Sequence, residues 1–133
     1  MENRIKKLEQ ILKNDRFANL CDIHLTSIGK GEATAEMIIE EKHLNGVNII
    51  QGGALFTLAD FTFAAASNSH GRIAVACQAN MNFFKGASSG KLTASAKEIS
   101  SGKTLANYSV AITDEQGTKI ALFNGTAFLK GEY

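Results

Sequence analysis

Apolar residues recur along this chain with two different periods. Near the start, Ile5, Leu8, Ile11 and Leu12 fall at helical spacing with Lys and Glu between them, which predicts a short amphipathic helix. Residues 23–28 alternate imperfectly and run into Gly29-Lys30-Gly31, and residues 32–39 alternate charged or small side chains with apolar ones. The two stretches together predict a hairpin. Residues 42–51 carry Asn45, Gly46 and Asn48 and predict an irregular turn, because Asn and Gly tolerate backbone angles that other residues avoid.

The pattern changes after Gly52-Gly53. Residues 54–67 are rich in Ala and Phe, poor in β-branched residues and apolar on most faces, which predicts a buried helix. Asn68-Ser69-His70-Gly71 supplies its terminator. Residues 73–84, 91–100, 104–113 and 119–129 then read as strands, with turns at Ser101-Gly102-Lys103 and Asp114-Glu115-Gln116-Gly117. The chain has no proline to interrupt their ladders. One apolar helix beside antiparallel strands is buried most economically when the sheet curls around it. The expected fold class is therefore α+β, an antiparallel sheet wrapped around one long central helix, with a short helix at the N-terminus.

A length of 133 residues fits a single domain spanning 1–133. The net charge of +1, with acids and bases interspersed, predicts neither a nucleic-acid nor a membrane surface. Residues 1–14 are charged and lack the apolar core of a secretion signal, and no apolar run approaches a membrane span. The two cysteines, Cys21 and Cys77, are far apart in sequence and read as reduced thiols, so the expected location is cytoplasmic.

Candidate chemistry gathers around the central helix. A glycine pair at a helix start lets a ligand approach the main chain, and the first N–H groups of a helix are unpaired and partly positive. Gly52 and Gly53 can thus hold a developing oxyanion, although alone such a pair more commonly just opens a helix. Asp60 is the only charged residue between Lys42 and Arg72, set among Leu58, Ala59, Phe61 and Phe63. A carboxylate there is a solvent-facing side chain or a base or nucleophile with a raised pKa. Gly53 and Asp60 are separated by about 10 Å along a regular helix, too far for one reacting carbon to meet both. If both act, two copies of the helix share each site. Asn45 is a donor to a carbonyl or an ordinary turn residue, and Gln78 positions a water or faces the sheet surface. Lys85, Ser88, Ser89, Ser101 and Lys103 occupy turns and can meet phosphates or simply solvent. The three histidines, His24, His43 and His70, lack metal-ligand spacing and no GxSxG elbow is present, so they read as surface or turn residues and no metal is expected.

The segment 43–60, His-Leu-Asn-Gly-Val-Asn-Ile-Ile-Gln-Gly-Gly-Ala-Leu-Phe-Thr-Leu-Ala-Asp, with residues 61–68, Met81-Asn-Phe-Phe-Lys85, Gly90 and Ala121-Leu-Phe-Asn-Gly125, resembles the signature of hotdog-fold acyl-CoA thioesterases of the phenylacetate-pathway (PaaI) type. The resemblance runs from about residue 15 to the C-terminus. It implies a hotdog fold, dimers that pair into a homotetramer, and hydrolysis of acyl-CoA, with aromatic acyl groups suggested by analogy and no cofactor beyond the CoA of the substrate. It implies that Asp60 activates water or attacks the thioester, that the N–H of Gly52, with Gly53 next, polarises the carbonyl, and that Asn45 matches the family asparagine. Two positions depart from the pattern. Gln51 stands where the family often has His, and Gln78 where Ser or Thr often supports the water. Gly86 also replaces a common proline.

Two other functions compete. A non-catalytic hotdog domain that binds acyl-CoA as a sensor gains weight from Gln51 and Gln78 and loses it from the retained Asp60. A hotdog dehydratase needs a His paired with an acid, and no His lies near Asp60 in sequence.

Overall fold

A computed structural model describes residues 2–133; Met1, the first residue of the 1–133 domain and of the charged opening segment, lies outside them. The chain folds as α1 (Glu2–Lys13), α2 (Arg16–Leu20), β1 (Ile23–Gly29), β2 (Glu32–Ile38), a 3₁₀ turn (Glu41–His43), α3 (Gly52–Ser67), β3 (Arg72–Phe83), β4 (Lys91–Ser101), β5 (Leu105–Thr113) and β6 (Lys119–Glu132). Every pairing is antiparallel, and the six strands lie in the order β1-β2-β4-β5-β6-β3. This is the sheet around one central helix that the apolar pattern predicts.

The strands alternate because one face is committed to α3. Ala33, Ala35 and Met37 on β2, Leu92, Ala94 and Ala96 on β4, and Ala106, Tyr108, Val110 and Ile112 on β5 are all buried, each two residues from the next. Many are alanines, and small side chains let the sheet close tightly on the helix. From α3 itself Leu58, Ala59, Thr62, Phe63 and Ala66 are buried against this floor. Phe63 packs edge-on to Tyr108 at 5.7 Å and tilted on Phe123 at 5.5 Å. Burying each such large apolar side chain stabilises the fold by about 1.5–3 kcal/mol. Gly125 on β6 makes the approach possible: a Cβ there would lie 3.0 Å from the Phe63 ring and 2.8 Å from that of Phe123.

Three details differ from the sequence expectation. In α1, Leu8 and Leu12 are buried but Ile11 is 51% exposed, since a short helix packed against α3 buries only a narrow seam. The helix α2 was not predicted; five residues carry no periodic signal, and it forms because Asp15 caps it, accepting from the Ala18 N–H at 3.0 Å. His43 lies in a turn, as one of the two expectations had it, but is buried there rather than exposed. Its Nδ1 accepts the Glu40 N–H at 2.9 Å and its Nε2–H donates to the Cys21 carbonyl at 2.8 Å. No helix among the described residues is long and apolar enough to cross a membrane.

Candidate active site

The start of α3 is placed from two directions. The Gln51 N–H donates to the His43 carbonyl at 2.8 Å, and the Ile50 N–H donates to the Ala87 carbonyl at 2.7 Å. Gln51 is the N-cap residue, extended in backbone and without a side-chain cap bond. Its carbonyl accepts from Ala54 and Leu55. The N–H groups of Gly52 and Gly53 precede any helical acceptor and have no hydrogen-bond partner among the described residues. The Gln51 side chain folds over the second glycine, so that a Cβ on Gly53 would meet Gln51 Oε1 at 2.5 Å.

At 100° per residue, Gly53, Thr57, Asp60 and Ala64 form the stripe of α3 turned away from the sheet. None of the four is buried, while Leu55, Leu58, Ala59 and Thr62 on the other side are. Asp60 is half-buried and makes no hydrogen bond or ion pair among the described residues. Burial, and after it the negative charge of Asp15, pushes its carboxyl above the ordinary value. A carboxylate so placed is more basic than a surface one and is free to take a proton.

Asn45 is a turn residue first. Its Oδ1 accepts the N–H groups of Val47 at 3.0 Å and Ile49 at 3.1 Å, and Asn48 beside it adopts a left-handed backbone, φ 63°. The Asn45 amide nitrogen remains available as a donor, so the side chain can offer hydrogen to a carbonyl while its oxygen holds the loop.

Two clefts flank the helix start. One, of about 370 Å³, is lined by Phe17 of α2 and Cys21 at its C-cap, by Lys42, His43 and Leu44, and by Gln51, Gly53, Ala54 and Thr57. Lys42 there is held by Asp22 and by Glu40 at 3.4 Å. The other, of about 290 Å³, lies on the Gly52 side against Ile49, Phe83, Phe84, Lys85 and Gly86. Ser88 and Ser89 follow Ala87, whose bond to Ile50 brings this loop to the second cleft.

Two of the sequence-singled residues lie elsewhere within one protomer. The Lys103 carbonyl accepts from Arg72 Nη1 at 3.0 Å, which places Lys103 at the start of β3, whereas Lys85 follows its end. Eleven strand residues span about 36 Å, so a single protomer does not bring Lys85 and Lys103 to one phosphate group. Gln78 pairs with Thr126, past a bulge between Ala76 and Gln78. Thr126 Oγ1 donates to Asn107 at 2.7 Å. Met81 and Ala79 pack toward the core, so Gln78 shares the opposite, convex face, away from α3 of its own chain. Sequence spacing gave no sign of Phe17, Cys21 or Thr57 as cleft residues. Only the fold brings the helix ahead of β1 across α3. Among the described residues no cluster of His, Cys, Asp or Glu is placed to hold a metal ion.

The family pattern of the thioesterase superfamily matches residues 47–121, more than half of the chain and the part that holds the glycine pair, Asp60 and β3. A putative esterase of Archaeoglobus fulgidus is 38% identical over 99% of this chain and 85% of its own length. The acyl-coenzyme A thioesterase PaaI of Escherichia coli is 37% identical over 85% of this chain and 81% of its own. The solved structure of the E. coli PaaI protein from the phenylacetic acid degradation operon superposes with a TM-score of 0.92 at 32% identity, covering 98% of this chain and 96% of that one. With its sheet curled around α3 and the free N–H groups at that helix's start, this chain belongs to the thioesterase superfamily and adopts its hotdog fold.

Proposed function

We propose that the protein hydrolyses acyl-CoA thioesters to a free acid and CoA. The observation that carries the reading is Asp60, a half-buried carboxylate with no partner of its own on the same helix stripe as the unpaired Gly53 N–H. The name of the E. coli relative supports the substrate class. CoA lies on the Gly52 side with its phosphates toward Lys85, Ser88 and Ser89. The thioester carbonyl points its oxygen at the N–H groups of Gly52 and Gly53, with Asn45 Nδ2 as a further donor.

Attack on that carbonyl places negative charge on oxygen, where the two N–H dipoles stabilise it. Asp60 acts by taking a proton from the attacking water or by bonding to the carbon itself. With water as nucleophile, collapse breaks the carbon–sulfur bond and CoA leaves as its thiolate, which takes the proton that Asp60 accepted. With Asp60 as nucleophile, the same collapse leaves an acyl–aspartyl anhydride, which a water hydrolyses to the free acid and the restored carboxylate, its proton going to the thiolate. Because about 10 Å of helix separates Gly53 from Asp60, the carboxylate comes from a second copy of the chain. Antiparallel pairing of two β3 edges would supply that copy and would bring the partner's Lys103 end toward this chain's Lys85. A homodimer, or a homotetramer of two such dimers, follows, and no metal or redox cofactor is required.

Gln51 fits a binder of acyl-CoA as well as an enzyme, because an amide does not titrate near neutrality. The deciding experiment measures CoA release from a panel of acyl-CoAs by wild type and Asp60→Asn. Wild type releases CoA, and the variant loses orders of magnitude in rate while still folding and binding. Binding by wild type without any release would favour a sensor.

A further inference from the structure

Phe17 has no structural task that accounts for its position. It stands on α2 and is 60% exposed, while the helix beneath it is anchored by other groups. Ala18 is buried, Asp15 caps the first turn at 3.0 Å, Asn19 Nδ2 donates to the Lys13 carbonyl at 2.9 Å, and His43 holds the Cys21 carbonyl at 2.8 Å. The ring is thus presented on a fixed platform, and it forms the wall of the 370 Å³ cleft facing Gly53, Ala54 and Thr57. That volume suits a small-molecule group. The one cation of the cleft, Lys42, is engaged by Asp22 and Glu40, so the cleft offers no free charge for a phosphate. It offers an aromatic face, Leu44 and Ala54 for apolar contact, and at one end the Gly53 N–H.

We propose that Phe17 is the specificity-determining residue of this site: the acyl chain of the thioester runs from its carbonyl at the Gly53 end of α3 across the cleft and packs on the Phe17 ring, so that acyl groups long enough to reach it are preferred over acetyl. The assignment rests on the thioesterase reading for the position of the carbonyl. A fixed aromatic wall binds an apolar chain with little ordering cost, and a two-carbon acyl group anchored at Gly53 is too short to use it.

The test separates binding from turnover. Non-hydrolysable S-hexyl-CoA and S-ethyl-CoA are titrated calorimetrically into wild type, Phe17→Ala and Phe17→Tyr, and hydrolysis of acetyl-, hexanoyl- and phenylacetyl-CoA is followed with the same proteins. Phe17→Ala is expected to weaken S-hexyl-CoA roughly 10- to 100-fold and S-ethyl-CoA less than about threefold. Phe17→Tyr stays near wild type. For the longer substrates the loss in kcat/KM falls on KM. Equal weakening of both analogues, no weakening of either, no binding of S-hexyl-CoA by wild type, or a changed sedimentation mass for Phe17→Ala would overturn the assignment. Wild type that binds S-hexyl-CoA through Phe17 yet releases no CoA from hexanoyl-CoA would instead sink the hydrolytic reading and leave Phe17 as the chain-binding wall.

Discussion

His43 Nε2 lies 2.8 Å from the carbonyl oxygen of Cys21, and this one bond joins the end of α2 to the turn that starts α3. Because Nδ1 accepts the Glu40 N–H, Nε2 is the nitrogen that donates to the Cys21 carbonyl. The His43 carbonyl in turn accepts the Gln51 N–H. Replacing His43 with Ala leaves a carbonyl and an N–H without partners beside a void. The expected destabilisation is about 2–4 kcal/mol, read as a lowered denaturant midpoint. Activity measured well below the melting range should fall as well, since the helix start loses its tether. An unchanged midpoint would remove His43 from this structural role.

The Asp60 carboxyl, raised by burial and by Asp15, sets a pH dependence of known sign. When the pH is below the unfolded carboxyl's pKa, about 3.9, both folded and unfolded states hold the proton. As pH climbs through the raised folded value, the folded state must ionise a desolvated group, and stability is lost relative to that acidic limit. Asp60→Asn escapes this cost. Its melting temperature should exceed that of wild type at neutral pH, and the gap should close as the solution is acidified. A gap independent of pH would contradict the desolvated placement.

Asp15 can be tested apart from its capping task. Asn caps a helix as well as Asp does, so Asp15→Asn keeps α2 while removing the charge that adds to the Asp60 shift. CoA release that depends on ionised Asp60 should keep its plateau, and its acidic limb should move to lower pH. If the limb stays where it is, the Asp15 charge does not reach the carboxylate on which CoA release depends.

Much of this was legible in the chain. The two-residue period on β2, β4 and β5 survives because each of those strands has one face against α3, and the run of Ala and Phe gave the helix because no polar side was needed. The carboxylate stood out as the one charge in an apolar stretch. What stayed hidden depends on contacts between segments distant in sequence. His43 looks like any turn histidine until Cys21 is folded back onto it. Gln78 is open, by spacing, between positioning a water and facing the sheet surface, and only a bulge and strand parity turn it away from α3 of its own chain. Phe17 lies in five helical residues too short to show a period.

Gly53 is placed so that its missing side chain accommodates Gln51. A methyl there would fall 2.5 Å from Gln51 Oε1, the mobile end of a flexible side chain, so the amide can swing aside. Stability of Gly53→Ala should stay within about 1 kcal/mol of wild type, because alanine also favours the helix. CoA release should drop roughly tenfold or more, since the methyl and the displaced amide crowd the N–H groups proposed to hold the oxyanion. Adding Gln51→Ala removes the clash. Thermal melts and rates of the two single variants and the double variant would show it: strictly additive effects would mean that the two residues do not meet.

The strand β3 is a sheet edge, with no second strand paired to it among the described residues. It pairs only with β6, is twelve residues long, and from Ile73 to Phe84 has no charged side chain. Ile73, Val75 and Phe83 on it, and Phe84 just past its end, are exposed. Natural sheets rarely leave such an edge free, because its unpaired N–H and C=O groups recruit another strand. A second copy, related by a two-fold axis, would pair β3 with β3 and complete the active site by bringing Asp60 of one chain to the glycines of the other. Sedimentation should therefore give a mass well above one subunit. Val75→Lys places like charges at two symmetric positions near that seam, where they repel and resist desolvation. It should shift the protein toward monomer at micromolar concentration and reduce CoA release in proportion to the dimer lost, with activity recovering as concentration rises. A fully active monomer would show that one chain suffices, and the division of the site between two copies would have to be abandoned.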